Sequence, residues 1–130
     1  MNKSDILSGF NNHLMELIND VIEVLPENND IKAVHTTFST IKKVNPRLII
    51  SIWKKHILDK YEKEIMSGDL NFFLDKEYDE DVELPNSDLI LSKISDMKKT
   101  IVSLSDDNKV KKINYFQNLT KLCKLYHNYE

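Results

Sequence analysis

Cys123 and His127, in KLCKLYHNYE, are the chain's single thiol and an imidazole four residues further on. On a helix that spacing puts both side chains on one face, as a nucleophile and its base or half of a metal site would require. Cys123 also falls on an apolar stripe, which reads as a core thiol. The other histidines, His13, His35 and His56, lie on separate segments, and none forms an HExxH pair. Among the acids, Asp75, Glu77 and Asp79 match the first, third and fifth positions of a calcium loop. The match then fails, because Glu80 stands where the loop needs glycine and Asn86 where it needs glutamate. Glu62 with Glu64, or Asp79 to Asp81, could perform acid and base work only inside a pocket that separates their pKa values. With glycine at positions 9 and 68 alone, the chain has no glycine-rich phosphate cradle and no nucleophile elbow. The expectation is a protein without catalytic residues, metal or cofactor.

Charge points elsewhere. Lys42, Lys43, Arg47, Lys54, Lys55 and Lys60 form one basic cluster with Asp59 its only acid. Lys109, Lys111, Lys112, Lys121 and Lys124 form a second with no acid between 109 and 124. On one shared face they would bind a nucleic acid backbone in a salt-dependent way. The competing reading is lysine stems lying along apolar stripes with their ammonium groups in water, favoured by a net charge of −3 and a pI near 5.8. The 17 lysines against one arginine also argue against selection for base or phosphate recognition, for which the guanidinium fork is better suited. A third feature is GDLNFFLDKEYDED, where Phe72 and Phe73 precede Tyr78, Asp79, Glu80 and Asp81. Exposed, that pair of phenylalanines and the acids after it would make a protein-interaction surface.

The elements that must position these residues are helical. Leu7, Phe10, Leu14, Leu17 and Val21 recur at spacings of three and four behind a cap at Ser4 or Asp5, and Pro26 stops the run. Asp30 caps a second helix with Ile31, Val34, Phe38 and Ile41 inward. Asn45 followed by Pro46 predicts one helix ending and a third starting, running from Pro46 to about Met66 with Ile49, Ile52, Trp53 and Ile65 buried. Gly68 supplies the left-handed stop. A turn or two of helix fits residues 70–75, followed by an exposed acidic connection at about 75–86. Asn86 or Ser87 caps a helix carrying Ile90, Ile94, Met97, Ile101 and Leu104, and the last helix carries Val110, Ile113, Phe116, Leu119, Leu122 or Cys123, and Tyr126. Five to six helices joined mostly by short connections predict an all-α, irregular antiparallel bundle forming a single domain over residues 1–130. A lone cysteine fits a reducing, intracellular compartment, and no apolar run is long enough to span a membrane.

Three stretches in order, NPRLIISIWKKHILDKY, GDLNFFLDKEYDED and KINYFQNLTKLCKLYHNY, resemble a family of small uncharacterised helical proteins of nucleocytoplasmic large DNA viruses, the mimivirus and phycodnavirus kind. The resemblance covers roughly residues 31–129. It carries no assigned catalytic residues and implies a context, the host cytoplasm, viral factory or virion. The function expected is a non-catalytic macromolecular interaction or structural protein, with a protein partner or self-association. The alternative is a DNA- or RNA-associated accessory protein acting through the lysine-rich faces.

Overall fold

The computed structural model describes residues 2–68 and 87–129, and within them the chain is all α. Helix α1 spans Lys3–Val24 and α2 spans Asn29–Val44. The next stretch is α3, Leu48–Trp53, a π-helical turn at Lys54–Leu58, and α4, Asp59–Ser67. Helices α5, Ser87–Val102, and α6, Asp106–Asn128, complete the bundle. The expected short helix at 70–75 and the acidic connection at 75–86 lie outside the described residues.

Caps set the helix starts, and two fall earlier in the chain than the spacing predicts. Asn2, not Ser4 or Asp5, caps α1: its Oδ1 accepts from the Asp5 N–H at 2.9 Å, and Asp5 Oδ2 accepts from the Asn2 N–H at 3.0 Å. Asp5 is thus the reciprocal acid of a capping box, satisfying a second orphan amide. Asn28, not Asp30, caps α2 by accepting from the Ile31 N–H at 3.0 Å. Arg47, not Asn45, stands at the cap of α3 and makes no side-chain cap bond, while Asn45 ends α2, its N–H donating to the Ile41 carbonyl at 2.7 Å. The Asn45 carbonyl accepts from the Leu48 N–H at 3.2 Å, so residues 45–47 make a turn and α3 begins two residues after Pro46. Buried Asn11 on α1 holds that corner by donating Nδ2 to the Pro46 carbonyl at 2.9 Å.

The third helix is not continuous. The Asp59 N–H reaches back to the Lys54 carbonyl, a five-residue step, and Tyr61 sits at φ −127°, ψ 15°, which kinks the entry to α4. The wider turn leaves His56, Ile57 and Leu58 buried in succession, where a regular helix would swing one of the three away from the core. It also brings positions five apart together, and Lys54 Nζ meets Asp59 at 2.8 Å across the turn. Gly68 closes α4 at φ +75°, and Gln117 on α6 donates Nε2 to the last carbonyls, Ile65 at 3.1 Å and Met66 at 3.3 Å.

Helix α1 runs antiparallel between α6 and α2, α2 packs on α5, and the 48–67 segment packs along α6, its α3 part also touching α1, α2 and α5. Trp53 is the centre of one continuous core. It is fully enclosed, with the Phe10 ring edge-on at 5.6 Å, the Phe116 ring at 5.4 Å and its Nε1 donating to Thr120 Oγ1 at 3.2 Å. Thr120 passes its own proton to the Phe116 carbonyl at 2.8 Å, so both buried polar groups are satisfied. The apolar positions read from spacing are buried along α1, α2, α3, α5 and α6, except that Leu7 and Ile41 are half-buried, Ile6 taking the inward place at the start of α1, and that Val110 is outside. Val110, expected inside, is 58% exposed, because the inward stripe of α6 starts one turn later, at Lys112, Ile113 and Phe116.

Candidate functional site

Helix α6 carries most of the chemistry, and its spacing deals the reactive residues to three faces. Cys123 lies on the inner face, fully buried, with its Sγ donating to the Ile50 carbonyl at 3.4 Å. Burial pushes the thiol up to about 12; Lys54 opposes that rise and Asp59 adds to it. His127 does come near, Nδ1 lying 3.7 Å from Sγ, but the same Nδ1 lies 2.9 Å from the Cys123 carbonyl oxygen. A carbonyl only accepts, so in that bond Nδ1 carries the proton and cannot take one from sulfur. The pair that spacing singled out is a structural one. Among the described residues no three His, Cys, Asp or Glu side chains converge as a metal would need.

Where the 48–67 segment meets the end of α6, one lysine from each cluster borders a small cleft of about 180 Å³ lined by Lys54, Asp59, Glu62, Lys124 and His127. Both cations are paired at this cleft. Lys54 is held by Asp59, and Lys124 is held by Glu62 at 2.7 Å. Acids at 59 and 62, one turn apart on α4, are interleaved between the cations. Elsewhere in the first cluster Lys42 donates to Asn12 Oδ1 at 3.1 Å, Lys55 is half-buried, and Lys43 and Arg47 are exposed at the α2–α3 corner. In the second, Lys109 is half-buried, Lys111 is exposed and Lys112 is buried. Phe72, Phe73, Tyr78, Asp79, Glu80 and Asp81 lie outside the described residues.

The third face is the seam between α1 and α6, where a cleft of about 370 Å³ is lined by His13, Asp20, Lys111, Lys112, Asn114, Tyr115 and Asn118. Its residues come from positions a turn or two apart on each helix, His13 and Asp20 on one, 111 to 118 on the other. Tyr115 organises it. Its hydroxyl donates to Asp20 Oδ2 at 2.7 Å, and its ring stacks on His13 with centroids 4.6 Å apart and planes inclined by 33°. That hydrogen bond to Asp20, with burial and the negative charge of Asp20 and Glu16, raises the phenol to about 12. Lys112, whose side chain is 6% exposed, sets its ammonium 3.9 Å from Asp20 Oδ2 and 5.9 Å from the Tyr115 ring centroid. A buried ammonium needs such partners, and its stem packs among the core residues of α6. Asp20 therefore serves two donors at once. Glu16, mostly exposed, approaches His13 Nδ1 at 3.8 Å, while His13 Nε2 is out of solvent and has no hydrogen-bond partner among the described residues. Of these lining residues, sequence reasoning named His13, as an isolated histidine, and Lys111 and Lys112, as members of a basic stripe. The antiparallel pairing of the first and last helices is what assembles them.

An all-α bundle with a polar interhelical cleft is the class that fold and site define. No protein-family model, curated protein or solved structure matches the chain. Among the described residues, no helix is long and apolar enough to cross a membrane.

Proposed function

We propose that the protein is a non-catalytic interaction module that binds other macromolecules through its helical surfaces and the acidic segment at 75–86. That reading is carried by the state of Cys123. The one nucleophile with a base at the right spacing donates to a backbone carbonyl, is pushed up to about 12, and faces an imidazole whose nearer nitrogen is already bonded. The internal pairing of Lys54 with Asp59 and of Lys124 with Glu62 supports a protein partner over a nucleic acid one. The contact residues proposed from sequence are Phe72, Phe73, Tyr78, Asp79, Glu80 and Asp81. The resemblance to small helical proteins of nucleocytoplasmic large DNA viruses supports an infected-cell setting, with the viral factory or the particle as the place of action.

Two measurements test this. An iodoacetamide probe at neutral pH is expected to leave the folded protein unlabelled and to label it fully once denatured, whereas stoichiometric labelling of the native chain would restore Cys123 as a reactive group. A photo-crosslinking residue at position 73 is expected to give one or a few discrete protein adducts that disappear when Asp79, Glu80 and Asp81 are changed together to Ser. A crosslinking pattern indifferent to those three changes removes the acidic segment as the contact.

A further inference from the structure

We infer that the α1–α6 cleft is a binding site for a small phosphorylated molecule, with the phosphate held by α6 and the organic part seated against the His13 and Tyr115 rings. The starting point is which hydrogen-bonding groups in the cleft are already used. Asp20, its only carboxylate, accepts from Tyr115 and faces Lys112. The side chains of Lys111, Asn114 and Asn118 make no hydrogen bond or ion pair among the described residues, and His13 Nε2 is buried without a partner. What is left over is therefore rich in donors: one exposed ammonium and two amides, beside a second ammonium that lies 3.9 Å from its carboxylate.

Charge and geometry narrow the ligand. Lys112 is matched by Asp20, and Glu16 stands on the far side of the His13 ring, so the cation that a ligand would meet in the cleft is the exposed Lys111, which an anion complements. Lys111, Asn114 and Asn118 stand at i, i+3 and i+7, a single stripe along about two turns of α6, so their side chains converge on one strip of the cleft. A tetrahedral group with several acceptor oxygens can engage three or four donors arranged in this way, where a carboxylate offers two oxygens in a plane. Phosphate is thus the better match. The cleft volume of about 370 Å³ falls in the range of small-molecule sites, and the stacked rings of His13 and Tyr115 provide an aromatic wall suited to a planar organic group.

The test is an amide and side-chain NMR titration of the full chain with inorganic phosphate, phenyl phosphate, benzoate and sodium chloride. Saturable shifts are expected with phenyl phosphate at the Lys111 to Asn118 amides, the Asn114 and Asn118 side chains and the His13 ring. Inorganic phosphate and benzoate are expected to saturate at the same place at several-fold higher concentration, and sodium chloride to give no saturation. Lys111→Ala combined with Asn118→Ala, both at exposed positions, should weaken phenyl phosphate at least tenfold while leaving the spectrum otherwise intact, and Lys43→Ala should leave binding unchanged. Non-saturating shifts spread over all lysines, or saturation that survives the double variant, would overturn the site. Benzoate binding more tightly than phenyl phosphate would overturn phosphate as the ligand group.

Discussion

Trp53 shows what a single residue contributes when its whole surround is fixed. Truncation to Ala would remove the aromatic contacts with Phe10 and Phe116 and leave a cavity between three helices, so a loss of about 3 to 5 kcal/mol is expected in a urea melt. Trp53→Phe should cost less, since Thr120 Oγ1 still donates to the Phe116 carbonyl. Cys123 gives a pH signature. Its folded pKa of about 12 exceeds the ordinary value of 9.0, so between those values the unfolded chain has released a proton that the folded chain retains. Stability from this group is present in full below pH 9 and is lost as pH rises. The stability gap between the native protein and Cys123→Ala should therefore shrink by about 1.4 kcal/mol between pH 8 and pH 10, with the lysines and Tyr115 cancelling in the difference. A gap that is constant with pH would mean the thiol ionises equally in both states. Cys123 as a core residue was legible from its stripe. The Asp20, Lys112 and Tyr115 cluster was not, because each member sits at the flank of an amphipathic helix, where a polar residue looks like any solvated one.

The helices are legible where punctuation is strong and illegible where it is missing. Pro46 and Gly68 bracket elements at or near the positions that their chemistry dictates, whereas Asn28 took the cap of α2 that was expected of Asp30. The π turn at 54–58 has no such mark, for KKHIL contains neither Gly nor Pro. Its cause is tertiary, the burial of three successive side chains against the core, which no local pattern reports. The two glycines give opposite predictions from their backbones. Gly68→Ala keeps an ordinary 3.8 Å contact with Gln117 Nε2 but places a Cβ at φ +75°, and should cost about 1 to 2 kcal/mol. Gly9→Ala, in a regular helix with open space around it, should stabilise the fold by about 0.5 to 1 kcal/mol. Paired urea melts of the two variants check both signs at once.

At the scale of the molecule the question is how 18 basic residues are kept from acting as one field. The net charge of −3 already disfavours contact with a polyanion, but net charge does not say what a local face presents. At the cleft that Lys54 and Lys124 share, Asp59 and Glu62 hold both within ion-pair distance. Surface pairs of this kind contribute little to stability, so their effect is chiefly on the potential that an approaching partner meets. Reversing them isolates that effect. Asp59→Lys together with Glu62→Lys would raise the formal net charge by four, to +1, and leave four adjacent cations with no acid between them. The double variant is expected to bind a short DNA duplex with a log–log salt slope of about −3 to −4, the value for four neutralised phosphates, and so to lose roughly 100-fold in affinity between about 50 and 200 mM salt. The unaltered protein should show no saturable binding in the same fluorescence anisotropy titration. Were it to bind with a comparable slope, the pairing at 59 and 62 would not be screening the lysines, and the nucleic acid reading would displace the protein-interaction one.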